Sequence, residues 1–204
     1  MLFTGLNQED IQNFILWSQA RTKTYGPGEY IFQVGDRANF AYILLKGAVE
    51  VENLSPQGNR TLVITFTKPY SIFGEVYALL DQTFEYNAQA MEESLLLQIP
   101  RQALLDCLEN EAQAPVGKNL VLLLAHKAHS LNQRLQIQSS KSLEEKILRD
   151  LVRREKDGVI VMKESRETWA QFLGIPRPSL SRELSRMQKE GLITIKGRKI
   201  ILNI

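Results

Sequence analysis

Apolar positions in the first hundred residues fall into short runs, 30–34, 40–45, 48–54, 61–67 and 94–99, broken by glycine, proline and asparagine at spacings typical of an antiparallel barrel or sandwich. In the fourth run Leu62, Ile64 and Phe66 alternate with Val63, Thr65 and Thr67, which makes one face strongly apolar and leaves the other for solvent or a ligand. Turns are expected at Gly26-Pro27-Gly28, Gly35-Asp36, Gly47 and Ser55-Pro56-Gln57-Gly58. Two short helices, around residues 8–17 and 101–110, flank the strands.

After Pro115 the period changes to that of a helix. Leu120, Leu124, Ala128, Leu131 and Leu135 make a narrow stripe, with polar Asn119, Lys127, Asn132 and Gln133 around it. The stripe suits a partner helix and reads as a dimer interface, with an internal core helix as the alternative. Residues 138–141 read as a hinge, and Ser142 with Glu145 has the spacing of a capping box that opens a helix carrying Leu143, Ile147, Leu148 and Leu151 inward. Three regions follow: residues 1–114, 115–141 and 142–204.

Residues 165–191 carry most of the chemistry. Ser165 can cap a first helix with Trp169, Phe172 and Leu173 inward, small Ala170 permits close approach of a second helix, and Gly174-Ile175-Pro176 makes a tight turn. The second helix buries Leu180, Leu184 and Met187 and presents Arg177, Pro178, Ser181, Arg182, Ser185 and Arg186 on its other side. Such a helix offers guanidinium groups at the end that reaches base edges in a major groove, where the planar fork can donate two hydrogen bonds to guanine. Two β-prone runs joined around Lys196-Gly197-Arg198 then form a basic hairpin suited to phosphates. The sum is a winged helix-turn-helix, and a structural bundle with a solvated basic face is the bland alternative.

Charge sharpens this division. The whole chain of 204 residues carries a formal net charge of only +2, but residues 1–140 hold 10 Lys and Arg against 14 Asp and Glu, while the remainder holds 15 against 9. A basic C-terminal region behind a mildly acidic body fits attraction to a polyanion. The composition, 44% hydrophobic and 24% charged, is that of a globular protein, and the longest apolar run, 120–125, is far short of the ~20 residues of a membrane span. Acidic Glu9 and Asp10 stand where a secretory leader would be basic, so none is expected. One cysteine, Cys107, permits no internal disulfide or multi-cysteine metal site, which fits a cytoplasmic protein. There is no glycine loop of the Walker type and no nucleophile–base pair, so an enzyme is not expected.

Tyr25-Gly26-Pro27-Gly28-Glu29-Tyr30-Ile31-Phe32-Gln33-Val34-Gly35-Asp36, followed by Ala41-Tyr42-Ile43-Leu44-Leu45-Lys46-Gly47, resembles the opening of a cyclic-nucleotide-binding β-roll. Phe73-Gly74-Glu75 resembles the start of its phosphate-binding cassette, and Gly174-Ile175-Pro176-Arg177-Pro178-Ser179-Leu180-Ser181-Arg182 a turn and recognition helix. In this order, with a dimer-type helix between them, they resemble the Crp/Fnr family of bacterial transcription regulators over essentially the whole chain. The resemblance implies an α+β protein: an N-terminal antiparallel β-roll, a long dimerisation helix and a C-terminal winged helix-turn-helix. It further implies a homodimer on double-stranded DNA with an inverted-repeat operator, and RNA polymerase as a further partner. Arg177 and Arg182 are implied at base edges or adjacent phosphates, with Ser179 and Ser181 assisting, and Ser165, Glu167, Lys196 and Arg198 near the phosphate backbone. Where many members have glutamate after the first recognition arginine this chain has Pro178, whose side chain cannot accept from cytosine, so the family's best-known half-site is not carried over.

The same resemblance places an effector pocket at Phe73, Gly74, Glu75, Phe84, Glu85, Tyr86 and Asn87. Nucleotide-binding members supply an arginine roughly ten residues beyond the Gly-Glu pair, yet none occurs here between Arg60 and Arg101. Glu85 would repel a phosphate and Phe84 or Tyr86 would occupy its space, so cAMP is not the expected effector; another small molecule, or none, remains. The N-terminal cysteine group of the cluster-binding members is absent, and His126 and His129, though spaced for a metal, read as polar surface on the long helix. No metal or cofactor is expected. A ligand-binding regulatory subunit acting through protein contacts is the alternative function.

Overall fold

A computed structural model describes residues 1–54 and 60–203, apart from the side chains of Leu54, Arg60, Thr61, Arg134 and Gln138. The turn expected at Ser55-Pro56-Gln57-Gly58 lies outside these residues, as does Ile204. The chain divides into two compact units, Met1–Leu124 and Ala125–Ile204.

The first unit begins with helix α1 (Gln8–Ser18), where Asn7 Oδ1 accepts from the Asp10 amide at 2.8 Å. Eight strands follow: β1 (Arg21–Tyr25), β2 (Tyr30–Phe32), β3 (Phe40–Lys46), β4 (Val49–Leu54), β5 (Arg60–Phe66), β6 (Ile72–Phe73), β7 (Asn87–Ala90) and β8 (Ser94–Pro100). They form two antiparallel sheets, ordered β1-β8-β3-β6 and β2-β7-β4-β5. Helix α2 (Glu75–Leu80) separates β6 from β7, and α3 (Arg101–Asp106) follows β8. Sequence periodicity does not find β1, β6, β7 or α2: β1 is nearly all exposed, β6 is two residues long, and β7 reads Asn-Ala-Gln-Ala.

One expectation about β5 fails. Leu62, Val63 and Ile64 are all about half exposed, so alternation does not divide the strand into a core face and an open face. β5 is one of the two edge strands of its sheet, paired with β4, and Phe66 at its end packs on Phe73 with ring centroids 5.0 Å apart.

Helix α4 (Ala114–Gln138) starts against the end of α3. A Cβ at Gly117 would stand 2.5 Å from the Cys107 carbonyl oxygen, so only glycine permits this approach. Cys107 is buried there, and burial with the nearby Asp106 charge pushes its thiol up to about 11, leaving it an inert filler.

In the second unit Ser142 caps α5 (Leu143–Arg154), its Oγ accepting from the Glu145 amide at 3.0 Å. The Glu145 carboxylate turns back to the Lys141 amide at 2.9 Å, one residue earlier than a capping box requires. Helices α6 (Arg166–Leu173) and α7 (Arg177–Lys189) follow, with strands β9 (Val159–Val161), β10 (Ile193–Lys196) and β11 (Lys199–Leu202) in the order β10-β11-β9. Strand β9, three residues long, is the element of this unit that the apolar pattern does not reveal. Ile147, Leu151, Trp169, Leu173, Leu180 and Leu184 fill the core.

Candidate nucleic-acid interface

Helix α6 is held at both ends by the residues its sequence nominates. Ser165 Oγ accepts from the Thr168 amide at 3.1 Å, and Gly174 closes the helix at φ 67, in the left-handed region that glycine adopts without strain. Pro176 precedes α7 and Pro178 lies in its first turn, where a missing amide costs no helix hydrogen bond. Leu180, Leu184 and Met187 are fully buried, which rolls Arg177, Pro178, Arg182 and Ser185 outward and leaves Ser179 and Ser181 half-buried.

The arginines of α7 differ in what holds them. Arg177 Nε stands 3.7 Å from Glu167 Oε2, both side chains largely exposed, and among the described residues Arg182 makes only a long 3.5 Å contact to Ser179 Oγ. Arg186 is bound by Glu183 and Glu144 and, at 2.9 and 3.0 Å, by both oxygens of Glu190. Hydrogen bonds to Glu183 and Glu144 raise its pKa further above the ordinary value. The expectation that Arg186 joins the presented face is therefore corrected: its guanidinium is committed to carboxylates of its own unit, one of them on α5.

The hairpin of β10 and β11 pairs Lys196 with Lys199 across Gly197-Arg198, leaving Lys196 and Arg198 exposed at its tip. Ser165, Arg166, Gly197 and Arg198 line a common cleft of about 190 Å³ between the start of α6 and this tip. Arg166 is not among the residues that the sequence pattern singles out. Its one signal is a cation in the first helical turn, where the helix dipole disfavours positive charge. Among the described residues neither Arg166, Lys196 nor Arg198 has an ion-pair partner.

Behind this surface lies a buried ionic cluster that no periodicity reveals. Asp150 is wholly buried, accepts from Trp169 Nε1 at 2.7 Å and Arg153 Nη2 at 2.6 Å, and lies 2.6 Å from Arg154 Nε. Arg154 also grips Glu164. Burial opposes ionisation of Glu164, but the hydrogen bond and charge of Arg154 outweigh it and hold the carboxyl below its ordinary value.

On α4 one position of the predicted stripe falls in the core. Leu120 is wholly buried in the core of the first unit and Leu124 packs half-buried against it, whereas Val121, Ala128, Leu131 and Leu135 are exposed. Leu120 is thus corrected from interface to core. His129 Nε2 lies 2.7 Å from Gln133 Nε2, and no group of ligands fit for a metal occurs among the described residues.

The seven proposed pocket residues differ in exposure. Phe73, Glu75, Phe84 and Asn87 are buried, with Phe84 stacked on Phe32 at 3.6 Å between centroids and Asn87 Oδ1 accepting from the Val34 amide at 2.9 Å. Gly74, at φ 77, caps α2 with Tyr42 and Phe84 packed around it. Tyr86 is half-buried, and exposed Glu85 accepts from Tyr77 OH at 3.4 Å. Burial together with Glu85 and Tyr86 pushes Tyr77 up to about 12. The assignment of Glu85 as a charge inside the roll is corrected to a surface contact, while Phe84 does fill interior space.

Comparison with known proteins gives the family. The cyclic nucleotide-binding domain matches residues 22–111 and the Crp-like helix-turn-helix domain residues 145–204. The chain belongs to the Crp/Fnr family of transcription regulators. The transcriptional regulator LdrP of Thermus thermophilus is 29% identical over 184 residues, covering 88% of this chain and 91% of its own. The regulatory protein HlyX of Actinobacillus pleuropneumoniae is 27% identical over 193 residues, covering 90% and 78%. The Thermus thermophilus catabolite activator protein shares the fold, with a TM-score of 0.57 at 21% identity over 99% of this chain and 93% of that one. As a regulator of this type, the chain is a DNA-binding protein with an antiparallel N-terminal domain and a C-terminal helix-turn-helix. No helix among the described residues is long and apolar enough to cross a membrane.

Proposed function

We propose that this Crp/Fnr regulator acts as a cytoplasmic homodimer that reads an inverted-repeat operator, with one α7 in each of two successive major grooves about 34 Å apart. The observation that carries this reading is the division of labour along α7, where Arg177 and Arg182 are exposed and lightly held while Arg186 is neutralised by carboxylates. Arg177 and Arg182 meet base edges, with Pro178, Ser179 and Ser181 beside them. Ser165 at the start of α6 and Lys196 and Arg198 on the hairpin meet the phosphate backbone, and Arg166 joins them. Glu167, 3.7 Å from Arg177, orients that side chain.

The dimer forms along α4 through Val121, Leu124, Ala128, Leu131 and Leu135, an exposed or half-exposed apolar stripe that a second copy of the helix covers. Functionally the chain runs as a sensor over residues 1–114, a dimer helix and hinge over 115–141 and a DNA-binding domain over 142–204, and it works with RNA polymerase. Its sensor does not use cAMP: no arginine lies between Arg60 and Arg101, and the Phe32–Phe84 stack occupies the interior.

Mobility-shift titration against a selected operator tests the reading. The expected result is sequence preference with a steep salt slope, and a loss of about 1–3 kcal/mol in specific binding on Arg182→Ala. Binding that ignores sequence, or an Arg182→Ala protein with an unchanged specificity profile, rejects it. Sedimentation of Leu131→Glu tests the seam, and an unaltered dimer would exclude the stripe.

A further inference from the structure

Three helices of the second unit meet at one guanidinium. Arg153 on α5 donates from Nη1 to Gln133 Oε1 of α4 at 2.8 Å and from Nη2 to Asp150 Oδ1 at 2.6 Å, and its Cζ lies 5.5 Å from the centre of the Phe172 ring on α6. Asp150 in turn holds Trp169 of α6 and Arg154, and Arg154 holds Glu164, the residue before the Ser165 cap. On α4 His129, Gln133 and Ile137 follow at steps of four, so they share one face. Ile137 enters the core of the unit, and all three line a groove of about 300 Å³ with Arg149 and Arg153. Arg149 is itself held by Glu145 at 2.8 Å.

Counting donors and acceptors fixes each member of this chain. A guanidinium has no acceptor, so the Gln133 amide must turn its oxygen to Arg153 and its NH2 group towards His129. The 2.7 Å contact between Gln133 Nε2 and His129 Nε2 is then a hydrogen bond only if the imidazole accepts, which puts its proton on Nδ1. Apolar packing of Ile137 alone would let α4 roll and slide against α5. Directional bonds that end on the wholly buried carboxylate of Asp150 oppose such motion.

We infer that Gln133 is a positioning residue for DNA reading: seated by His129, it ties α4 to Arg153 and so sets the angle between the C-terminal half of α4 and the recognition helix α7. The inference rests on the reading above, in which α4 joins two copies and one α7 enters each groove. Base-edge contacts are lost when that angle changes, while attraction to phosphates survives. The test compares affinity for a selected operator with affinity for random duplex, using the full chain. Gln133→Met keeps the length of the side chain but bonds neither neighbour, and is expected to lower this ratio about tenfold with the thermal midpoint unmoved. Gln133→Glu still accepts from Arg153 and is expected to keep the wild-type ratio. Nitrogen NMR in mildly alkaline buffer gives a second readout. His129 is expected to carry its proton on Nδ1 in the wild type and on Nε2 in the glutamate variant, whose carboxylate accepts it. An unchanged ratio in Gln133→Met overturns the inference, as does a wild-type imidazole protonated at Nε2. A glutamate variant as impaired as the methionine one overturns it too, since a merely structural role gives no such rescue. A monomeric wild-type chain in sedimentation, or Arg182→Ala with an unchanged ratio, fails the DNA reading itself and takes the inference with it.

Discussion

Rings fill the interior of the first unit: Phe32 stacks on Phe84 at 3.6 Å, and Phe73 packs on Tyr42 at 5.5 Å and on Phe66 at 5.0 Å. The second unit is built about a carboxylate, with Asp150 buried beneath Trp169 and flanked by Arg153 and Arg154. Dispersion and burial in the first case are nearly indifferent to pH and salt, whereas buried ions are stabilising only while every partner keeps its charge. The contrast also corrects the meaning of the basic C-terminal composition. Arg149, Arg153, Arg154 and Arg186 pair with carboxylates of their own unit, so net charge counts groups that hold the domain together along with groups that meet a polyanion.

The contrast can be broken by removing its centres one at a time. Trp17 lies in the first unit and Trp169 in the second, so fluorescence reports on each. Phe84→Ala has the largest effect, about 3–5 kcal/mol from the lost ring and the cavity left behind. It is expected to move the Trp17 transition in urea and leave that of Trp169 in place; equal shifts would mean the units unfold as one. Trp169→Phe keeps most of the buried surface but strips a hydrogen bond from a charged acceptor, costing about 1.5–3 kcal/mol. Faster amide exchange confined to α6 and its neighbours is the expected readout, and exchange spread evenly over both units would contradict it.

Acid acts more gently. Because the folded-state pKa of Glu164 is depressed, its stabilisation is present above the unfolded value of about 4.3 and is lost as pH falls through the lower folded value. Amide exchange in the second unit should quicken beyond the intrinsic rate below about pH 4.3, and Glu164→Gln should flatten part of that slope. An unaltered slope would remove Glu164 from the account. The smallest change is expected from Arg186→Ala, an exposed network that salt screens. Operator affinity should hardly change at moderate salt, in contrast to Arg182→Ala, and a comparable loss in the two variants would return Arg186 to the reading surface.

Much of the DNA-binding unit is legible in the amino-acid sequence. Ser165, Gly174 and the spacing of Leu180, Leu184 and Met187 specify α6, the turn and α7 by local rules, and the hairpin about Gly197 follows from short β-prone runs. What the sequence does not reveal depends on distant partners. Glu144, which takes the guanidinium of Arg186, is 42 residues away, and Asp150 is 19 from Trp169. The burial of Leu120 beside exposed Val121 is hidden because both neighbours are apolar, and only the packing of α4 against the roll decides which is covered. Glu85 and Phe84 adjoin in sequence yet lie on opposite sides of the surface, a distinction set by how the α2–β7 connection docks.

Arg177 stands between two prolines, with Pro176 at φ −63 before it and Pro178 after it. Two backbone donors that another residue would offer to a phosphate are gone, and the backbone around the arginine is confined whether or not DNA is present. Little freedom remains to be surrendered on docking, and little is available for adjustment. A reader so stiffened should tolerate few departures from its preferred half-site, trading breadth of recognition for fidelity.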